Sequence, residues 1–487
     1  MVSVNKSFDK TERPVTVLQY GEGNFLRGFA DPMIDTANEK GLFNGNVQII
    51  KPISFGSIDS LVEQDCIYTV MLRGKQDGVT HVEKRVITSI AGAVDPFRDY
   101  EAYAAFAHSP ELLYIISNTT EAGIVYDDKD DISLCPPNSF PGKLTKFLYE
   151  RFLHFKGAGD KGLTILPVEL IDNNGKQLLE CCEKLAVLWG LPVKFVDWLL
   201  NANVFCNTLV DRIVTGYPAD EIDAIEKELG YSDKQLVVGE PFALWVIESS
   251  NPNDLAKELA LDKAGMPVIF TDDYVPYRER KVRVLNGAHT SSVLAAYLSG
   301  LDTVGDMMKD DALRKFLNKT VYEEIVPMVP LPESDVKAFA DSVFERFENP
   351  FIKHSLLAIS MNSTSKFKAR ILPTILDTYN KDGSLPLNLC FSLAALMAFF
   401  SGEKVDGKMV GTRDGVTYNL NDDVHVLEFF AANKDKSSKD FVSAYLSRED
   451  FWGEDLTKVS GFVDAVAGAL QSIRDNGMRS TVEKLVK

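Results

Sequence analysis

The run Tyr277-Arg-Glu-Arg-Lys281-Val-Arg-Val-Leu-Asn286-Gly-Ala-His289 holds the residue types best suited to chemistry in this chain. Reduction of a ketone needs, besides a hydride donor, an acid to protonate the developing alkoxide and hydrogen-bond donors around that oxygen. A lysine, an asparagine and a histidine supply the last two functions. Asn286 and His289 stand three apart and share a face of a helix. Lys281 stands five before Asn286, about 140° around an ideal helix, so convergence needs a helix start at Lys281 or an inward-bent stem. Arg280 and Arg283, if close in space, would help the lysine release its proton. A solvated charged face for Lys281 and a core position for His289 are the competing readings.

A second pattern is Gly21-Glu22-Gly23-Asn24-Phe25-Leu-Arg27-Gly28, directly after the apolar run Val15–Tyr20. A strand followed by Gly-x-Gly is where a dinucleotide-binding fold turns beneath a pyrophosphate. The first glycine permits the tight turn and the second lets the backbone approach the phosphates. The third glycine of that pattern would fall at Leu26; here Gly28 follows instead. Asp31-Pro32 offers a cap and a first helical residue, which would start the helix beyond the loop. A plain turn is the alternative. The acid that usually ends the second strand and takes the adenine ribose is missing from Ile50-Lys51-Pro52. NAD is the expected cofactor with NADP open, because an exposed Lys51 would suit a 2′-phosphate.

These patterns need elements to hold them. Val15–Tyr20, Val47–Ile50, Leu113–Ile116 and Thr164–Val168 read as buried strands separated by helical stretches, the pattern of a mainly parallel sheet, with Pro267–Thr271 as a last strand. Beyond Val275, windows at Asn286–Leu298, Asp311–Ile325, Pro332–Phe347, Leu385–Phe400 and Gly461–Asn476 carry apolar residues at helical spacing. The expected fold is α/β: a Rossmann-like domain over 1–275 and a mostly α-helical substrate domain over 276–487. The Gly-rich stretch Asp406–Asn421 reads as an exposed loop or small hairpin.

Composition narrows the function. A formal net charge of −18 over 487 residues argues against a nucleic-acid partner, which needs a basic footprint, and against an anionic membrane. The six cysteines form no C-x-x-C pair, so no metal site is expected. The longest nearly apolar run, Leu389–Phe400, is too short to span a bilayer. With no secretory leader apparent, a cytoplasmic monomer or small homo-oligomer is expected.

Taken together, the segments resemble the mannitol dehydrogenase family of long-chain, zinc-independent polyol dehydrogenases. The likeness rests on Gly21, Gly23, Phe25 and Arg27; on Ser117-Asn-Thr119-Thr120-Glu121-Ala-Gly123; on Val210-Asp211-Arg212-Ile213; and on Lys281, Asn286, Gly287 and His289. The resemblance implies a nicotinamide cofactor held by Leu18, Gly21, Glu22, Gly23, Asn24, Phe25, Arg27, Ser117, Thr119 and Glu121. It implies Lys281 as general acid/base, Asn286 as oxyanion donor, His289 as substrate-positioning residue and Asp211 as an organiser of the site. The family's second oxyanion asparagine is replaced by Leu170 in Val168-Glu169-Leu170, leaving Asn173, Asn174 or no residue to serve. That same Glu-Leu form points to the branch that interconverts keto-hexuronates and hexonates.

A uronate carries a carboxylate, so its site needs a positive partner. Lys366-Phe-Lys368-Ala-Arg370 is the best basic concentration in the second half, with Arg370 expected at the substrate and Lys366 or Lys368 near a carboxylate or phosphate. A solvated basic helix face competes. Fructuronate reductase or mannitol 2-dehydrogenase is the near alternative, and a non-catalytic nucleotide sensor the distant one. A sensor has no use for an acid/base lysine.

Overall fold

The computed structural model describes all 487 residues, Met1–Lys487. Its first compact unit comprises residues 1–74 and 80–274, and its second comprises 75–79 and 275–487.

Six parallel strands form the main sheet of the first unit: β1 (Val15–Tyr20), β2 (Asn46–Ile50), β3 (Ile90–Val94), β4 (Tyr114–Ser117), β5 (Thr164–Pro167) and β6 (Val204–Phe205). Their spatial order is β3-β2-β1-β4-β5-β6, the doubly wound dinucleotide-binding order. Tyr20 is level with Ile50 on one side and Ser117 on the other, and Ser117 is level with Pro167. The chain therefore leaves four strands at one edge, where the strand order reverses direction. Alternation along β1 sends Val17 to one core and Leu18 and Tyr20 to the other. Helix α1 (Asn24–Glu39) packs Phe29, Met33 and Ile34 on the first face. Helices α2 (Phe140–His154) and α3 (Asn174–Leu188) bring Leu144, Phe147 and Leu178 to the second. With both faces covered, these strands read as unbroken apolar runs.

Two expectations change. The Pro267–Thr271 run forms a strand, but not in the main sheet. It lies in a separate three-stranded sheet of β7 (Asn207–Asp211), β8 (Leu244–Glu248) and β9 (Val268–Thr271). The helix after the glycine loop starts at Asn24, not at Asp31-Pro32, and Pro32 lies inside it. A proline at position 32 cannot donate to the carbonyl of Gly28. That carbonyl is instead taken by Arg212 Nη1 at 2.8 Å, while Arg212 Nε and Nη2 donate to the carbonyls of Phe242 (3.0 Å) and Pro241 (3.1 Å). Burial lowers the Arg212 pKa to about 10, with Glu240 and Glu83 opposing. The Arg of Val-Asp-Arg-Ile thus repairs the proline's defect in α1, and it is not spent on neighbouring Asp211. Arg212→Met leaves three carbonyls without these donors and is expected to destabilise the first unit by about 3–5 kcal/mol, read as a lowered urea midpoint.

Beyond the hairpin tip at 75–79, the second unit is helical apart from a small antiparallel sheet at Glu403–Val405, Lys408–Arg413 and Val416–Asn419, where a loop or hairpin was expected. Its first rod runs from Val275 to Leu298. The elements that matter to the site are α4 (Gly287–Leu298, the end of that rod), α5 (Glu333–Phe347) and α6 (Ser363–Arg370). Helix α7 (Leu387–Phe400), apolar on all sides, is buried against α4 and α8 (Phe462–Asn476). No helix is long and apolar enough to cross a membrane.

Candidate active site

In the first unit, the glycine loop closes the C-terminal edge of β1. Gly21 has φ +135°, and an added Cβ would sit 3.0 Å from Leu26 Cδ1 and 3.1 Å from the Asn118 carbonyl, so only glycine fits without displacement. Gly23 caps α1 and meets nothing within 4 Å on its Cβ side. No side chain caps the helix, so the N–H groups of Asn24 and Phe25 face outward without a helical acceptor. An open helix start of this kind, at the switch point of the sheet, fits a pyrophosphate.

The remaining cofactor candidates divide between direct and supporting places. Arg27 is buried: its Nε donates to the Glu22 carbonyl (2.9 Å), Nη1 to the Gln235 carbonyl (2.7 Å) and Nη2 to Asn24 Oδ1 (2.8 Å). It braces the loop from beneath. Phe25 stacks on Phe29 at 5.0 Å. Leu18 is fully buried in the core on the face of β1 that also carries Tyr20. Ser117 Oγ donates to Glu169 Oε2 (3.0 Å), and Thr119 donates from both N and Oγ1 to Glu169 Oε1 (2.9 Å each). Burial raises the Glu169 pKa against these bonds. The Ser-x-Thr and Val-Glu-Leu motifs are one clamp joining the ends of β4 and β5. Glu121 is exposed beyond it.

Lys51 is not exposed. Its side chain is buried and paired with buried Asp95 at 2.9 Å, so it is not offered to a 2′-phosphate. A cavity of about 720 Å³ opens beyond the ends of β2 and β4, lined among others by Pro52, Ile53, Thr119, Asp127 and Asp128.

Asp31, on the buried face of α1, accepts from Tyr68 at 2.6 Å through Oδ2, and its Oδ1 has no partner. Burial raises its pKa to about 7 despite the Tyr68 bond and Arg27. Between pH 4 and 7 the folded chain therefore holds a proton that the unfolded chain has released. Stability from this group is full at low pH and is lost as pH rises through 7, by at most about 4 kcal/mol. Asp31→Asn is expected to remove that slope: the urea midpoints of variant and wild type differ more at pH 8 than at pH 5, with the variant favoured at pH 8.

Of the asparagines weighed as second oxyanion donor, Asn174 is a buried strand clamp. Its Nδ2 donates to the carbonyls of Pro167 (3.0 Å), Glu169 (3.1 Å) and Thr208 (3.1 Å), and its Oδ1 accepts from Thr208 N (2.9 Å). It has no capacity left for substrate. Asn173, exposed with φ 52° at the head of α3, and Leu170, 59% exposed, face outward. Asp211 is buried at the end of β7.

In the second unit, Lys281–Asn286 is a π-helical turn set between the α-helical segments Val275–Arg280 and Gly287–Leu298. Bonding from i to i+5 brings residues five apart onto one side, which closes most of the 140° separation of an α-helix. Asn286 and His289 then follow at a spacing of three, so all three candidates lie along one side of the rod. Each is half-buried, while Val284, Leu285 and Ala288 face the core. The flanking arginines are engaged elsewhere. Arg280 lies over Phe339 (4.6 Å), and Arg283 pairs with Asp377 (2.5 Å) and Glu279 (3.4 Å).

His289 packs against the rings of Phe347 (4.2 Å) and His354 (5.1 Å), and its buried Nδ1 has no partner. Burial, then the fields of His354, Arg346, Arg370 and Lys366, hold its pKa well below the usual range, so it is neutral at pH 7. Arg370 Nη1 donates to Thr290 Oγ1 at 3.3 Å. Lys366, four before Arg370, shares its face of α6, whereas Lys368 is exposed on another side, its amine 3.3 Å from the position a Gly453 Cβ would take. The sequence offered Lys366 and Lys368 as equals; the helix separates them. His354 escaped notice because it follows α5 in a stretch without helical periodicity.

A doubly wound dinucleotide-binding unit and a helical unit presenting lysine, asparagine and histidine together define a Rossmann-type oxidoreductase. The chain belongs to the mannitol dehydrogenase family: residues 15–263 match the mannitol dehydrogenase Rossmann domain and residues 273–474 the mannitol dehydrogenase C-terminal domain. It is 46% identical over 484 residues to altronate oxidoreductase of Yersinia enterocolitica, covering 98% of each chain. To altronate oxidoreductase of Escherichia coli K12 it is 44% identical over 487 residues, covering 99% of each. Among solved structures it shares its fold with mannitol 2-dehydrogenase of Pseudomonas fluorescens, a ternary complex with NAD and D-mannitol (TM-score 0.65, 23% identity, 98% and 95% coverage). It shares it also with a D-sorbitol dehydrogenase (TM-score 0.79, 19% identity, 96% and 95% coverage).

Proposed function

We propose that this chain is an altronate oxidoreductase, a tagaturonate reductase, that moves a hydride between NAD and the keto-hexuronate/hexonate pair. The relatives' names and full-length similarity support the substrate. The observation that carries the mechanism is the π turn aligning Lys281 with Asn286 and His289.

The loop Gly21–Phe25 would hold the dinucleotide's pyrophosphate at the head of α1, with Arg27 keeping the loop in shape. The bound nicotinamide supplies or accepts the hydride. Lys281 gives a proton through Nζ to the substrate oxygen as negative charge develops there, and takes it back in the oxidation direction. Asn286 donates a hydrogen bond from Nδ2 to the same oxygen. His289, neutral, offers one donor and one acceptor to a substrate hydroxyl without adding charge. NAD is preferred over NADP because Lys51 is spent on Asp95, while Asp127 and Asp128 oppose a further phosphate.

The test is a spectrophotometric assay of purified protein with tagaturonate, fructuronate and fructose and with both reduced cofactors. The expected result is greatest kcat/KM with tagaturonate and NADH, the cofactor ratio exceeding about tenfold. Preference for fructose or fructuronate would reassign the substrate within the family.

A further inference from the structure

We propose that His354 and Lys366, together with Arg370, form the subsite that takes the substrate's carboxylate and sets the preference for keto-hexuronates over neutral ketohexoses. The proposal rests on the function proposed above and extends it to residues outside the lysine–asparagine–histidine set.

The chain carries a net charge of −18, yet this corner of the second unit gathers positive charge, with Arg346, Arg370 and Lys366 all acting on His289. Neither Lys366 nor Arg370 has a carboxylate within ion-pair distance. Lys366 Nζ donates to the Ile359 carbonyl at 2.9 Å, and Arg370 gives one N–H to Thr290. The acid whose field reaches Lys366 is Asp422, and its carboxylate is occupied by the N–H groups of Thr364 (3.1 Å) and Asp423 (2.9 Å). Burial and the charge of Arg370 both disfavour the charged form of Lys366. Half-buried like charges with no counterion are costly, and an arriving anion offsets that cost.

The geometry suits a carboxylate. Apart from its bond to Thr290, Arg370 keeps its remaining guanidinium donors uncommitted, and none of them is sealed in the interior without a partner. A planar fork with an open edge binds a carboxylate in a bidentate manner. Lys366 stands one helical turn back on the same face. His354 stands edge-on to His289 at 5.1 Å and 73°, bordering the same histidine that feels the charges of Arg370 and Lys366. A neutral ketohexose leaves the cations unpaired and gains none of this.

Lys366→Met and His354→Gln test the proposal by steady-state kinetics. The substrates are tagaturonate and tagatose, which differ by a carboxylate in place of a hydroxymethyl group. For each variant KM for tagaturonate is expected to rise about 10- to 100-fold. Its kcat should stay within about threefold of wild type, and KM for tagatose should be unchanged or lower. Unaltered circular dichroism and NADH affinity establish that the variants are folded. Equal losses on both substrates, or an unchanged KM for tagaturonate, overturn the subsite. If wild type reduces no keto-hexuronate, the functional reading itself fails. The subsite is then decided by calorimetric titration of altronate into wild type and Lys366→Met: weaker binding to the variant upholds it, and equal or absent binding overturns it.

Discussion

Lys281→Met should lower kcat by about three to four orders of magnitude at neutral pH while leaving NADH affinity within about twofold of wild type. The methionine keeps most of the side chain's length and apolar stem and removes the proton. The glycine loop that would hold the nucleotide lies in the first unit, so binding and chemistry separate cleanly in this variant. Lys281→Arg is the sharper comparison. It retains a positive charge beside the substrate oxygen, but a guanidinium does not give up its proton in this range. Were the lysine only an electrostatic partner, arginine would restore much of the rate; as proton donor it should not. Wild type should also show a pH dependence in the oxidation direction that both variants lack. Turnover retained by Lys281→Met rejects the mechanism.

Asn286→Ala should cost about 10²- to 10³-fold in kcat, with a smaller effect on KM, because the hydrogen bond strengthens as charge builds on the oxygen. The π turn makes this more than a generic expectation. Asn286 reaches the lysine's side of the rod only because Lys281–Asn286 bonds from i to i+5. The two side chains should therefore act on one oxygen, and the Lys281→Met/Asn286→Ala double variant should lose little more than Lys281→Met alone. Fully multiplicative losses would show that the asparagine works elsewhere.

Much of the sheet was legible from the chain. β1, β2, β4 and β5 are buried on both faces and announce themselves as short apolar runs between turn residues. The strands that went unread are of other kinds. β3, Ile-Ala-Gly-Ala-Val, is too small to stand out, and β7 and β8 belong to a second sheet whose pairing joins segments far apart in sequence. The hairpin at Tyr68–Gln76 and Val79–Ile87 did carry a local signal. Asp77-Gly78, with φ of 52° and 78°, is a two-residue turn that only such residues fill easily, and it could have been found.

The residue types that do chemistry, their order and their family likeness were all present in the chain itself. Lysine, asparagine and histidine within nine positions, and two glycines after a strand, need no coordinates to be noticed, because side-chain chemistry and glycine's freedom are local properties. Their usefulness was settled elsewhere. Pro32 pointed to a late helix start until Arg212, distant in sequence, supplied the donor it lacks. Lys51 looked solvated until Asp95 buried it, and Asn174 looked available until three carbonyls claimed it. Above all, no local rule marks the turn at Lys281–Asn286 as π rather than α. That choice belongs to the packing of Val284, Leu285 and Ala288 into a core built by the rest of the second unit, and it places the lysine on the same side as its partners.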